Sequence, residues 1–205
     1  MAADKTLILH GFRLSGHSHR AELMLNLLEL PYEFRNVDLA AGEQKRPAFL
    51  RLNGFGTVPV LEDGDFVIPD SAAILLYLAR RYDPARRWLP EDIETETRIQ
   101  RWLSVAQGPV LNGPAKARMV KLFGKSYDHA EAAAVAQELL DVLEGELSQH
   151  AFLVGAAATL ADIAVYSYVA RAPEGAVALD GFPAVRAWLR RIEALPHFLP
   201  MPATA

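Results

Sequence analysis

Over the first eighty positions the spacing of apolar residues changes period repeatedly. Thr6 to His10 is a short apolar run closed by Gly11, which predicts a buried strand. From Arg20 onward Ala21, Met24, Leu25 and Leu28 recur at helical spacing, leaving Phe12 to His19 as a polar loop between strand and helix. Tyr32 to Leu39 predicts a second strand, with Tyr32 and Phe34 alternating before the phase slips at Asn36. Strand, helix, strand implies a right-handed crossover and a parallel pair. Ala48 to Leu52 is a short helical run behind Pro47, a residue suited to a first helical turn. Two β-branched segments, Thr57 to Leu61 and Phe66 to Pro69, flank Glu62-Asp63-Gly64-Asp65, whose Asp-Gly supplies the positive φ of a hairpin turn. Asp70 and Ser71, both good N-caps, then open a helix over Ala72 to Tyr82 with Ile74, Leu75, Leu78 and Tyr82 near one face.

After Tyr82 a proline-bracketed stretch, Asp83 to Pro90, ends the helical pattern and marks a boundary. Beyond it strand signals almost vanish: Glu91–Gln107, Asp128–Ser148, Leu160–Arg171 and Phe182–Leu195 all read as helices. Gly108-Pro109 breaks or kinks the first of them before a helical stretch over Ala115 to Phe123. The pattern predicts an α/β domain over residues 1–83, a linker over 84–90 and an all-helical domain over 91–205. Thr159-Leu160-Ala161-Asp162 has the spacing of a reciprocal helix cap, which makes Asp162 structural rather than catalytic. Tyr166, Tyr168, Trp188 and His197 lie among apolar neighbours and read as core.

Composition narrows the classes of function. At 205 residues, 51% hydrophobic and 22% charged, the chain has ordinary globular chemistry and material for a sizeable core. A net charge of −4 and a pI near 5.9 give no basic footprint for nucleic acid. With no cysteine there is no disulfide framework, thiolate metal site or cysteine nucleophile. Histidines at 10, 17, 19, 129, 150 and 197 show no metal-ligand spacing. No signal peptide or span-length apolar run is present, so the expected compartment is the cytosol.

Three stretches carry candidate chemistry. The loop Phe12 to His19 delivers Ser15 and Ser18 to a strand-to-helix junction, where α/β layers bind ligands. Val58-Pro59 marks a strand start, and a cis bond there would turn the Val58 N–H and C=O outward to pair with a peptide-like ligand. Asp70-Ser71 aims a helix N-terminus at whatever lies above the sheet, which suits a carboxylate. From the residues alone, an edge-strand proline and a capped helix without a ligand fit as well. Gln44-Lys45-Arg46 is likewise readable as a solvated charged face.

The order of these landmarks resembles the glutathione transferase family with a serine-type active-site loop. The resemblance rests on Ser15-Gly16-His17-Ser18-His19-Arg20 after the first strand, Leu30-Pro31-Tyr32 before the second, Val58-Pro59 and Asp70-Ser71. It extends through Gly155 to Asp162, Phe182-Pro183 with Trp188-Leu189, and Leu195-Pro196-His197-Phe198, so that it spans nearly the whole chain. It implies a thioredoxin-like N-terminal domain that binds glutathione as co-substrate and a helical C-terminal domain that contributes the electrophile pocket. It also implies a homodimer, with a helical region containing Arg98, Arg101, Trp102 and Val105 crossing a two-fold axis. By the resemblance, Val58 before Pro59 pairs with the cysteinyl backbone, Asp70 and Ser71 hold the γ-glutamyl end, and Gln44 and Lys45 are candidates for the glycyl carboxylate. Phe12 and His17 join the binding set from the first loop. Thr57 departs from the pattern, because many members carry Lys, Gln or Arg just before Val-Pro.

The implied reaction is attack of the glutathione thiolate on an apolar electrophile in a detoxifying conjugation, with peroxidase or isomerase side activity and no metal. A free thiol near pKa 8.5 is mostly protonated at neutral pH, so a hydroxyl donor fixed at the sulfur favours the reactive form. Serine-type members carry that hydroxyl after the first strand, several of them five residues before an arginine, as Ser15 stands to Arg20. Ser18 and His17 remain competitors. A non-catalytic binding or assembly module on the same fold is the alternative. Thiol–disulfide exchange through the protein is disfavoured by the absence of cysteine.

Overall fold

A computed structural model describes residues 6–204 and divides the chain into two compact units. The first runs to Pro84 and takes back Pro196–Pro202; the second holds Ala85–Leu195 and Ala203 onward. The reading of 91–205 as one helical domain is corrected to that extent.

In the first unit, β1 (Leu7–Gly11) lies between β2 (Tyr32–Asn36), parallel to it, and β3 (Val60–Asp63), antiparallel to it; β4 (Phe66–Pro69) closes the order β2-β1-β3-β4. Leu7 and Leu9 alternate with half-buried Ile8 and His10, the period-two pattern of a covered sheet face. Helices α1 (Gly16–Leu27) and α3 (Ser71–Tyr82) pack on each other, with Leu23, Met24, Leu25, Ile74, Leu75 and Leu78 fully buried. Each such side chain is worth about 1.5–3 kcal/mol in transfer from water. A smaller cluster of Val37, Val60 and Phe49 is supplied partly by the short helix α2 (Pro47–Leu50). Gly64, at φ 59, makes the β3–β4 turn that the Asp-Gly dipeptide predicts.

Several boundaries differ from expectation, among them the third strand, which runs over Val60–Asp63 instead of Thr57–Leu61. The second strand stops at Asn36, where its alternation slips. Helix α1 begins at Gly16 rather than near Arg20, because Ser15 is the N-cap: its Oγ accepts the Ser18 N–H at 3.3 Å. Ser18 therefore sits inside the first turn and caps nothing.

The second unit is helical: α4 (Ile93–Gln107), α5 (Lys116–Phe123), α6 (His129–Leu147), α7 (Leu160–Ala170) and α8 (Pro183–Glu193). The break at Gly108-Pro109 is followed by a π-helical turn over Leu111–Ala115 that contains Pro114, which has no N–H to donate. Gly113 lets that turn lie against α6, since a Cβ there would stand 2.8 Å from the Ala136 nitrogen. Thr159 and Asp162 form the expected reciprocal cap on α7. Tyr166, Tyr168 and Trp188 are core, and the Tyr166 hydroxyl donates to Glu193 at 3.0 Å. His197 is not core: it belongs to the first unit, at φ 62, with its ring half exposed and 3.3 Å from Glu29.

Candidate active site

The sheet register brings the candidate stretches to one end. Gly11 pairs with Asn36, His10 with Val60, and Val60 with Pro69. The segments that leave β1 at residue 12, β2 at residue 37 and β4 at residue 70, and the one that enters β3 from residue 59, therefore all meet the sheet at the same end. In α/β sheets, ligands bind outside such strand ends.

The connector from β1 to α1 is internally tied. The Ser15 N–H donates to the Phe12 carbonyl at 2.9 Å, and the Phe12 N–H donates to Ser18 Oγ at 3.1 Å. Ser18 is buried, 1% exposed, with its oxygen engaged in holding Phe12. Half-buried Ser15 accepts through Oγ and keeps its own O–H available to donate, at the positive end of the α1 dipole.

His17 is half-buried in the first turn of α1 instead of solvated in a loop, with Nδ1 3.3 Å from Ser71 Oγ across on α3. Burial first, and the Arg20 charge second, hold its pKa well below the ordinary 6.5, so the ring is neutral at pH 7. Buried Ser71 and exposed Asp70 share the start of α3. Asp70 is the N-cap, its Oδ1 accepting the N–H groups of Ala72 and Ala73, both at 2.9 Å. Its backbone stands at φ 106, ψ 128, a region that a residue with a Cβ rarely adopts.

The second polar group forms around Gly56. A 3₁₀ turn over Glu43–Lys45 abuts it so closely that a Cβ at Gly56 (φ 58) would stand 2.7 Å from the Gln44 carbonyl oxygen and 2.9 Å from Lys45 Nζ. Lys45 Nζ donates to the Phe55 carbonyl at 2.9 Å, while half-buried Gln44 has Oε1 unpartnered among the described residues. Thr57 is exposed, and Asn53 Nδ2 donates to both its carbonyl (2.8 Å) and its Oγ1 (3.0 Å). Asn53 Oδ1 also accepts the Phe55 N–H, so one buried amide pins the segment leading to Val58-Pro59, whose peptide bond is cis. Sequence reasoning passed over Asn53; its position between Leu52 and Gly54 in a turn was the available signal.

A thioredoxin-like domain followed by an all-helical one is thus the class that fold and site define. Residues 9–86 match the family description "Glutathione S-transferase, N-terminal domain" and residues 115–196 "Glutathione S-transferase, C-terminal domain": the chain belongs to the glutathione S-transferase family. It is 34% identical over 175 residues to glutathione S-transferase theta-1 of Bos taurus, covering 80% of this chain and 73% of that one. A crystal structure of glutathione S-transferase from Pseudomonas fluorescens superposes with a TM-score of 0.89 at 33% identity, over 95% of this chain and 98% of that one. A glutathione transferase homolog from Drosophila mojavensis, solved with bound glutathione, matches with a TM-score of 0.83 at 31% identity, over 93% and 89% of the two chains.

Proposed function

We propose that this glutathione transferase holds the glutathione thiolate at Ser15 for attack on an apolar electrophile, with peroxidase or isomerase turnover as a side activity of the same thiolate. The convergence of residues 12–15, 57–59 and 70–71 on one end of the sheet carries this reading, because an extended tripeptide needs its sulfur, backbone and amino-terminal ligands in one row. Ser15 donates to the sulfur, and the α1 dipole adds a favourable field. Ser18, buried and engaged with Phe12, supports the connector instead. Val58 pairs with the cysteinyl backbone as an added strand does, with Phe12, Thr57 and Pro59 bordering it. Asp70 takes the γ-glutamyl amine, and Ser71 with the α3 N-terminus takes the carboxylate. Neutral His17 serves as a hydrogen-bond partner for Ser71. Gln44 and Lys45 receive the glycyl carboxylate, Lys45 with the N–H groups left after its bond to Phe55.

The working form is a cytosolic homodimer. Among the described residues no helix is long and apolar enough to cross a membrane. Helix α4 supports self-association through its outer face, where Ile93 is 74% exposed beside Glu94, Thr97, Arg98 and Arg101. Trp102, in the same helical region, is buried.

The experiment is a titration of the thiolate absorbance of bound glutathione in the unaltered protein, Ser15→Ala and Ser18→Ala. Loss of one hydrogen bond to a charged sulfur, about 1.5–3 kcal/mol, should raise the bound-thiol pKa by roughly one to two units in Ser15→Ala. A normal low pKa in Ser15→Ala with a raised one in Ser18→Ala moves the role to Ser18. Glutathione bound without ionisation in the unaltered protein makes the chain a binding module.

A further inference from the structure

The connector that presents Ser15 is clamped by side chains that its own sequence does not announce. Arg13 Nη1 donates to Glu22 Oε1 on α1 at 2.7 Å, and its guanidinium carbon lies 3.9 Å from the centre of the Phe34 ring on β2. Both anchors are themselves held. Glu22, 5% exposed, also accepts the Tyr32 hydroxyl at 3.1 Å, and Asn26 Nδ2 donates to that hydroxyl at 2.9 Å. Phe34 fits because Gly11 has no Cβ: one there would stand 3.0 Å from the ring edge and 3.1 Å from the Ser18 Cβ. Ser18 in turn receives the Phe12 N–H. Glu22, Phe34 and Ser18 thus grip Phe12 and Arg13 from α1 and β2, immediately before Ser15.

The Arg13 side chain is half exposed, and ion pairs of that kind add little to stability. Their geometry is another matter. A guanidinium centred over a ring while donating to a buried carboxylate is held at two points, which a lysine ammonium does not reproduce. We infer that Arg13, through Glu22 and Phe34, is a positioning residue for the reaction, holding the connector so that the Ser15 hydroxyl meets the sulfur at a set distance. This role presupposes Ser15 as the partner of the sulfur, as proposed above.

The test measures kcat, KM for glutathione and the bound-thiol pKa in Arg13→Ala, Arg13→Lys, Glu22→Gln and the Arg13→Ala/Glu22→Gln double variant, with Ser15→Ala alongside. Arg13→Ala should lower kcat about tenfold while KM for glutathione stays within about twofold, since a misplaced group costs turnover more than binding. The bound-thiol pKa should rise with it, Arg13→Lys should fall between, and the double variant should lose less than the two single losses multiplied, because both changes break the same Arg13–Glu22 contact. Should Arg13→Ala fail to fold, Arg13→Lys and Glu22→Gln should still lower kcat and raise the bound-thiol pKa, by less. Folded variants with unaltered kcat and thiol pKa, or losses that multiply in the double, overturn the role of Arg13. An unperturbed thiol in Ser15→Ala removes the underlying assignment instead, so the two failures are distinct.

Discussion

Asp70 meets two demands with one side chain, a helix cap and the proposed ligand for an ammonium group. Its Oδ1 takes two α3 amides, so replacement by alanine would mix lost binding with a lost cap worth about 1 kcal/mol. Asn keeps the cap oxygen and removes the charge. Asp70→Asn should therefore raise KM for glutathione about ten- to a hundredfold, the equivalent of a charge-assisted bond, with the thermal midpoint nearly unchanged. Asp70→Gly should go further in one respect. Glycine accepts φ 106 freely and caps only slightly worse, and strain of this kind costs on the order of 1–3 kcal/mol, so the variant should melt no lower, or higher, while binding glutathione poorly. An unaltered KM in both variants takes Asp70 out of the site. The types of these residues were legible in the sequence, but their conformations were not. The apolar spacing alone starts α1 near Arg20, and the Ser15 cap moves His17 from a loop into the half-buried first turn of α1.

Among the elements, helices were readable from their apolar spacing, whereas a cap supplied from another element was not. Helix α7 announces itself through Thr159 and Asp162, three residues apart. Helix α8 has no side-chain cap of its own; Glu144 on α6 accepts the N–H groups of Ala184 and Val185 at 2.9 and 3.0 Å, a partnership forty residues long. The grip of Glu22 and Phe34 on Arg13 escaped for the same reason, since it depends on the packing of β2 beside α1. Asp162 shows what a buried cap holds together. It accepts from Leu153 N–H (2.9 Å), Thr159 N–H (2.8 Å), Thr159 Oγ1 (3.3 Å) and Trp188 Nε1 (2.8 Å). Asp162→Ala strands these buried donors and should cost more than about 3 kcal/mol in urea unfolding, with Asp162→Asn between it and the unaltered protein. Turnover per folded molecule should be unchanged in Asp162→Asn; a folded but inactive variant would make Asp162 chemical after all.

For the whole molecule, sedimentation equilibrium at micromolar concentration should return twice the chain mass of 22.6 kDa, and Ile93→Lys should shift the protein toward monomer by placing a charge on the outer face of α4. A monomer at every concentration would sink the dimer. The two-unit division was legible from the loss of strand signals after Tyr82, whereas the return of Pro196–Pro202 to the first unit was not, since nothing local distinguishes a tail that docks from one that continues a helical domain. In that tail Met201 is 2% exposed, and the Leu199 carbonyl accepts His19 Nε2–H at 2.8 Å across 180 positions of sequence. Synthesis runs from residue 1 forward, and roughly 110 residues separate the two parts of the first unit, on the order of ten seconds of elongation. Until the tail has been made and released, Met201 is not buried and His19 lacks its Leu199 carbonyl partner. A chain still short of that tail therefore carries a first unit without the segment that buries Met201 and partners His19 in the finished fold.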